Sequence, residues 1–377
     1  MQTTPISAAL TRKLRRLGPQ LAALFAILAL ITLISPGFLS ITVQNGRLYG
    51  SLIDVLVRAA PVALLTIGMT LVIATRGIDL SIGAVIAICG AVAASLVADG
   101  YPLVAVLVAV TAVGLVCGLW NAVLVAFLDI QPIIATLILM VAGRGIAQLI
   151  TEGVILTFNN DDFADIGSGA LFGIPVPVLL WLAAGLLVGL LVRRTALGFL
   201  IEATGINRRA AMLAGVQARF LLIFVYAVSG VMAAIAGLII TADIRGADAN
   251  NAGLWLELDA ILAVVIGGTS LNGGRFSITA SLIGALIIQS INTGILVSGF
   301  PPEFNLIIKA SIIIVVLTLQ SPALGFIGGF FRPPGNAGQK IGRQIGKPSG
   351  ETRAADKTGS TRTDRASTTL STQERTS

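Results

Sequence analysis

Two short polar segments interrupt long apolar runs of this 377-residue sequence. The first, residues 76–83, carries Asp79 and Ser81, and the second starts at Glu257 and Asp259. A charged side chain at membrane depth costs at least ~2.5 kcal/mol on insertion scales, so it normally faces protein or water. Glycine-interrupted segments in corresponding halves of a chain are typical of the solute path of an internally repeated transporter. The pattern therefore predicts residues that line or gate a path for a polar solute.

The candidate pathway or gating residues share one property, a polar or glycine position within or beside an apolar run. They are Asp79, Ser81, Asn121, Thr136, Glu257, Asp259, Gly267 and Gly268. A second interpretation is that both segments are interfacial turns with capping side chains. Asp79 or Ser81 would then cap a helix that begins near Ile82, and Asp259 would cap a helix at Ile261. The two interpretations can hold together.

Small and singly polar residues within the apolar runs point to close packing of helices. The sequence has 42 glycines, many of them inside apolar runs, where small residues let helix backbones approach each other. Single polar side chains in membrane helices, such as Asn121 and Thr136, more often form interhelical hydrogen bonds than bind a solute. We therefore expect most of these positions to serve packing.

The residue inventory excludes several kinds of site. No histidine occurs, which excludes a histidine general base, a histidine metal site and a Ser-His-Asp triad. Cys89 and Cys117 lie in apolar runs, where a thiol behaves as a small hydrophobic group. Residues 342–348 resemble a phosphate-binding loop, but they have one residue too few between the glycines and Pro348 where Ser or Thr should bind magnesium. We predict no catalytic residue, metal ion or bound cofactor, and any energy from ATP must come through a partner.

The elements that hold the polar residues are apolar helices. Apolar residues make up 55% of the chain, charged residues 11%, and the mean hydropathy is +0.94, values typical of an integral membrane protein. Ten apolar runs are candidates for membrane spans, several of them shorter than the ~20 residues that a perpendicular span needs. They are Leu21 to Ile34, Ala59 to Ala74, Ile82 to Ala98, Leu103 to Phe127, Ile133 to Ile150, Val176 to Val192, Phe220 to Ala242, Leu256 to Leu271, Ile278 to Val297 and Leu306 to Leu319.

The distribution of basic residues gives the orientation of these spans. Ten crossings from a basic N-terminus place Arg76, the arginines between Arg193 and Arg219, Arg275 and the basic tail on the cytoplasmic side. The connection 151–175 has four acidic residues and no Lys or Arg, and it falls outside. We therefore predict an all-α polytopic membrane protein with about ten transmembrane helices and both termini in the cytoplasm.

Three parts of the chain differ in composition. Residues 1–19 read as a cytoplasmic N-terminal segment before a retained anchor, since no small-x-small cleavage site follows the first apolar run. Residues 20–320 form the predicted transmembrane domain. Residues 321–377 read as a disordered basic cytoplasmic tail; its part from Arg332 has nine Lys or Arg and four Asp or Glu. These charges favour contact with anionic lipid of the bilayer over binding of nucleic acid.

One sizeable polar loop, residues 198–216 within the wider loop 193–219, lies between two apolar runs. Its pattern predicts a helical start, a break at Gly205 with Asn207, and a second short helix from Arg208 to Ala214 closed by Gly215. A short surface helix without catalytic groups suggests a docking surface for another protein. From the spacing alone, an ordinary solvated loop is as good an interpretation as a docking surface.

Three motifs in order resemble the permease subunits of bacterial ABC importers for simple sugars, the ribose type. They are Gly77-Ile-Asp-Leu-Ser-Ile-Gly-Ala84, the loop pattern A-x-G-x-N-x-x-A-A-x-x-x-G from Ala203 to Gly215, and the segment from Glu257 to Gly274 that ends in GGTSLxGG. The resemblance covers roughly Leu21 to Leu319. It implies the importer permease architecture with two related halves.

Four further segments, 45–54, 135–145, 242–255 and 298–303, resemble the galactofuranose importers within that family. Two positions depart from the wider sugar-permease pattern. Phe199 stands where a basic residue commonly follows the loop glycine, and Arg275-Phe276 stands where a small glycine-containing turn is usual. The second departure belongs to the narrower subgroup.

The resemblance implies a division of labour in the bacterial inner membrane. A periplasmic binding protein captures the sugar, two permeases form the path, and two cytoplasmic ATPases bind ATP and magnesium. The second permease is either a copy of this chain or a sister chain. The polar loop would be the coupling helix seated on the ATPase. Its implied residues are Gly198, Glu202, Ala203, Gly205, Asn207, Ala210, Ala211 and Gly215.

Two other classes of protein compete with this interpretation. An ion-coupled secondary transporter of a small polar solute would use Asp79, Glu257 or Asp259 as its coupling carboxylate. A membrane-embedded enzyme would need a nucleophile and base pair or a cluster of metal ligands, and the sequence offers neither.

Overall fold

The computed structural model describes residues 5–44, 47–299, 301 and 303–320. The predicted tail, residues 321–377, lies outside the described residues, as does part of the segment 45–54. The helices are α1 (Pro5–Ile34), α2 (Ser51–Ala74), α3 (Ile82–Ala98), α4 (Leu103–Ala126), α5 (Pro132–Ile150), α6 (Asp161–Ser168), α7 (Val176–Arg194), α8 (Leu197–Ile206), α9 (Arg208–Leu213), α10 (Ala218–Ile244), α11 (Leu256–Ile266), α12 (Ile278–Val297) and α13 (Phe304–Gln320).

Each of the ten predicted apolar runs overlaps one of these helices. Across the described residues, seven helices have the length and hydropathy of a membrane span: α1, α2, α4, α5, α7, α10 and α12. The other three, α3, α11 and α13, have 17, 11 and 17 residues. At 1.5 Å per residue, α11 is only about 16 Å long, roughly half of a bilayer core. The polytopic helical fold is confirmed, with a count of ten that includes short helices.

The predicted run Leu256 to Leu271 is wrong at its C-terminal end. Helix α11 ends at Ile266, and residues 267–277 form turns before α12. Gly268, Gly273 and Gly274 have φ values of +85°, +77° and +95° there. A left-handed backbone that favours glycine ends the helix, although Leu271 continues the apolar composition.

Among the seven helices of span length, α2 and α10 are the most deeply buried. In their apolar windows 78% and 61% of residues are buried, against 6% in α1. Backbones approach closely where small residues meet, since a Cβ built on Gly68 of α2 would lie 2.8 Å from Ser229 Cα of α10. Gly118 of α4 likewise lies against the Tyr226 carbonyl of α10. The predicted packing role of glycine is confirmed at these crossings.

Short strands connect the helices at loops. They are β1 (Thr42–Gln44), β2 (Arg47–Tyr49), β3 (Leu156–Thr157), β4 (Ala170–Leu171), β5 (Ile174–Pro175) and β6 (Gly246–Ala247). The antiparallel pairs are β1 with β2, β3 with β6, and β4 with β5. The β3–β6 pair joins the connection 151–175 to the end of α10. Helix α6 in that connection was not predicted, although Asn160 caps it by accepting a hydrogen bond from the Phe163 amide at 3.0 Å.

Candidate functional site

Residues 75–81 leave the end of α2 and run along α10 without forming a helix. Gly77 lies against the Tyr226 hydroxyl, and the Ser229 hydroxyl donates to Asp79 Oδ2 at 2.8 Å. Further along, Gly237 of α10 packs against Ile86 of α3. Residue numbers therefore increase in the same direction in both contacting segments, so α3 runs parallel to α10. Helix α3 begins alongside the middle of that 27-residue helix.

Four of the predicted residues meet in one buried cluster, which we call the Asp79 cluster. The side chain of Asp79 accepts hydrogen bonds from the Ser81 amide at 3.1 Å and the Ser81 hydroxyl at 2.6 Å. Asn121 donates to the Ser81 hydroxyl oxygen at 2.7 Å, and Thr136 accepts from the Leu80 amide at 3.1 Å. Each of the four predicted residues is at most 1% exposed. Sequence reasoning missed Ser229, because a single serine in an apolar helix carries no distinguishing pattern.

The capping interpretation of the first segment holds in part. Ser81 directly precedes α3, but its side chain makes no capping hydrogen bond. Asp79 does bind the Ser81 amide just ahead of the helix, as a turn-forming carboxyl group would. The same side chain therefore organises the turn and links it to α10.

The second polar segment holds a buried ion pair. Asp259 and Lys309 of α13 lie 2.8 Å apart, with side chains 4% and 15% exposed. Helix α11 already begins at Leu256, so the expected cap by Asp259 of a helix at Ile261 is wrong. Asp259 has apolar residues on both sides and lies within the first turn of α11, so the helix continues through it. Lys309, the basic residue of the last apolar run, was missed as its partner.

The two interrupted segments touch at Gly83 and Glu257. A Cβ built on Gly83 would lie 2.5 Å from Glu257 Oε2 and 2.6 Å from the Gly253 carbonyl oxygen. Along the chain, Gly83 lies between Asp79, which contacts Ser229 of α10, and Ile86, which contacts Gly237 of α10. Gly83 is therefore level with the middle of α10, and so is the start of α11, which it touches. We call this meeting point of α3 and α11 the midlevel junction.

The loop before α11 is held by its own polar groups. Arg144 of α5 donates from Nη1 to the carbonyl oxygens of Ala249 and Ala252 at 3.0 and 2.6 Å. Hydrogen bonds from the side chain and backbone of Asn251, and from the Asn250 amide, hold the pKa of the Asp248 carboxyl below its usual range. These contacts fix the loop that delivers Glu257 to the midlevel junction.

Gly267 and Gly268 lie at the opposite end of α11 from Glu257. Gly267 packs against the Ser281 backbone of α12, and Gln20 of α1 donates to the Gly267 carbonyl at 3.4 Å. The structure therefore does not bring these two glycines to the midlevel junction or the Asp79 cluster. They position the turn between α11 and α12.

The polar loop folds as two short helices, α8 and α9. Asn207 separates them and caps α9, its Oδ1 accepting from the Ala210 amide at 3.0 Å. Gly215 ends α9 with φ +87°, and the Val216 amide donates to the Ala211 carbonyl at 3.0 Å. The predicted break lies at Asn207, and Gly205 itself belongs to α8, which continues to Ile206. Gly205 lies directly against the Ala74 carbonyl at the end of α2, where a side chain would not fit.

Each of the two short helices has a buried and an exposed face. Ile201, Thr204 and Ala211 are buried, whereas Phe199 and Leu213 are 75% and 91% exposed. The remaining predicted loop residues lie in different environments. Gly198 packs on Val192, Glu202 and Ala203 are partly buried, and Ala210 is exposed. Glu202 also lines a groove of about 550 Å³ together with Phe199 and Phe276.

Comparison with known proteins places the chain among transport permeases. The family described as branched-chain amino acid transport system / permease component matches residues 51–317. A galactofuranose transporter permease of Escherichia coli (strain K12) is 60% identical over 303 residues, covering 80% of this chain and 89% of that protein. A fructose import permease of Bifidobacterium longum is 40% identical, covering 81% and 87%, and a ribose import permease of Escherichia coli (strain K12) is 36% identical, covering 80% and 92%.

No solved structure matches the chain. The sequence relatives nevertheless align over most of their own length, and the family match spans the region from α2 to α13. The chain therefore belongs to the permeases of bacterial ABC importers, which do not themselves hydrolyse ATP, and it is a multi-pass protein of the inner membrane.

Proposed function

We propose that this chain is the translocation subunit of a sugar importer and that its substrate is galactofuranose or a similar monosaccharide. The 60% identity to a galactofuranose transporter permease supports the sugar, since fructose and ribose permeases are only 40% and 36% identical. In this proposal a periplasmic binding protein delivers the sugar, and ATP and magnesium bind to a cytoplasmic ATPase. A second permease, either a copy or a sister chain, completes the path.

The observation that carries the proposal is the exposed apolar face of α8 and α9. Phe199 and Leu213 are large apolar side chains left uncovered on a loop that basic residues assign to the cytoplasm. Such residues at the surface mark protein contacts. Phe199 replaces the basic residue common in sugar permeases with an apolar one, so the ATPase surface opposite it should be apolar as well. Closure of the ATPase would push this rigid pair of helices as one body.

The solute path is proposed to run beside the midlevel junction. Both α3 and α11 begin there, inside the bundle, and broken helices are tolerated at that depth only within protein or beside water. Glu257 is only partly buried there, whereas Asp79 is fully enclosed. We therefore assign Glu257 to the path and Asp79 to the frame that holds α3 in place.

Uptake by vesicles that contain the permease, ATPase and binding protein tests the transport function. Labelled galactofuranose should accumulate with ATP, and ribose and fructose should compete poorly. Uptake that continues without the ATPase and binding protein but stops when the proton or sodium gradient is dissipated would overturn the proposal. That result would establish an ion-coupled secondary transporter instead.

Charge placed on the exposed face tests the docking role separately. F199E and L213E should each weaken copurification of the ATPase by about tenfold or more, because a carboxylate would be buried in an apolar contact. The matched control is F172E in the turn between β4 and β5, where Phe172 is 94% exposed at the outer end. The control should keep the ATPase. Unchanged copurification in all three variants would sink the docking role.

A further inference from the structure

Arg76 has a backbone conformation that ordinarily favours glycine. It follows the end of α2 with φ +65°, and the Gly77 amide donates to the Val72 carbonyl at 3.0 Å. This is the left-handed position at which helices most often place glycine, and a residue with a Cβ is disfavoured there. A side chain retained at such a position is expected to make contacts that compensate the backbone cost.

The side chain of Arg76 joins two other elements to the end of α2. Its Nε donates to the Asn272 carbonyl in the turn after α11 at 2.8 Å. Its Nη2 donates to the Ile206 carbonyl, the last residue of α8, also at 2.8 Å. The planar guanidinium group presents both donors in a fixed geometry, which a lysine ammonium group cannot reproduce.

The same three elements are packed together directly beneath this guanidinium group. The Gly274 amide donates to the Ala74 carbonyl at 2.9 Å. Gly205 of α8 lies against both Ala74 and Gly274, and Gly273 lies against Arg76 itself. Because the backbones are already in contact, any displacement of α8 moves against the end of α2 and the turn 272–274 together.

We infer that Arg76 is the positioning residue that transmits movement of the coupling helix α8 to both interrupted spans. Residues 77–81, which include Asp79 and lead to α3, follow Arg76 directly in the chain. The turn 272–274 closes the segment that begins at Glu257 and α11. One side chain thus links α8 to the two elements that meet at the midlevel junction. This inference rests on the proposed coupling role of α8 and α9.

The variant R76G separates a transmitting role from a structural one. Glycine suits φ +65°, so R76G should fold and bind the ATPase, and its unfolding temperature should stay close to the wild-type value. The number of sugar molecules transported per ATP hydrolysed should fall by about tenfold, within the range of coupling free energies between sites. R76K should behave like R76G, since it keeps the charge and loses the paired donation.

The matched control is R245G at the C-terminal end of α10. Arg245 also follows a helix in the left-handed conformation, with φ +52°, but it pairs with Asp161 at 2.9 Å instead of joining α8. The control should keep the wild-type ratio of sugar to ATP. If the wild-type protein couples transport to ATP hydrolysis and R76G transports the same number of sugar molecules per ATP, the inference is overturned. A wild-type protein that transports without ATPase would instead overturn the proposed function.

A cross-link supplies a second test that does not require an arginine variant to fold. I206C and N272C in one chain, joined by a short bifunctional thiol reagent, replace the link made by Arg76. If α8 and the turn move as one unit, the joined protein should transport sugar at close to the unjoined rate. Loss of uptake on joining, with uptake kept when I206C and N272C are each treated alone in the same way, would overturn the inference; the native Cys89 and Cys117 are buried.

Discussion

The two interrupted spans enclose their carboxyl groups by different chemistry. Asp79, ahead of α3, is surrounded by the neutral donors of Ser81 and Ser229. Asp259, in the first turn of α11, pairs with the charged Lys309. The first arrangement spreads its stabilisation over several neutral hydrogen bonds, whereas the second relies mainly on one ion pair, with a hydrogen bond to Asn292 of α12 beside it.

This difference indicates which side of the midlevel junction is rigid. The Asp79 cluster draws its partners from α4, α5 and α10, so it ties α3 into the most buried part of the bundle. The ion pair of α11 depends on α13, which is peripheral in the described chain with several exposed apolar residues. We therefore expect the α11 side to be lost as a unit when one charge is removed, and the α3 side to weaken in steps.

The largest effect is expected from K309M. Removal of one partner leaves a buried charge uncompensated, which costs about 3–5 kcal/mol in unfolding free energy. D259N should cost a similar amount, and the double variant D259N/K309M should recover most of the loss because neither charge remains. Thermal unfolding of the purified protein in detergent measures all three. A double variant no more stable than either single one would contradict the ion-pair description.

An intermediate effect is expected from G83A. Its Cβ would lie 2.6 Å from the Gly253 carbonyl, a backbone atom that must shift, so the cost should be about 1–3 kcal/mol. Uptake should fall as well, since the shift separates α3 from α11. The control is G145A of α5, where no neighbouring atom lies within 4 Å of a built Cβ. Equal uptake in G83A and G145A would show that the midlevel junction is not part of the path.

The ten helices with apolar runs were predictable because hydropathy along the chain identifies them without tertiary information, whereas the polar helix α6 was not. The turn between α11 and α12 was not predictable, since Leu271 extends the apolar composition past the true end of α11 while the glycine conformations end that helix. The candidate residues were found as polar exceptions, yet their grouping depended on which helices pack together. Arg76 read only as a cytoplasmic charge, because its contacts with Ile206 and Asn272 join residues more than a hundred positions away.

The smallest effect is expected from S229A in the Asp79 cluster. It removes one hydrogen bond to Asp79 Oδ2, while Oδ1 keeps its bonds to the Ser81 amide and hydroxyl. The loss should be about 1 kcal/mol in unfolding free energy, with uptake nearly unchanged. S311A is the control, since that exposed hydroxyl bonds only locally to the Ile307 carbonyl and should cost less. A loss in S229A as large as that in K309M would mean that the α3 side also rests on a single contact, and the contrast between the two spans would disappear.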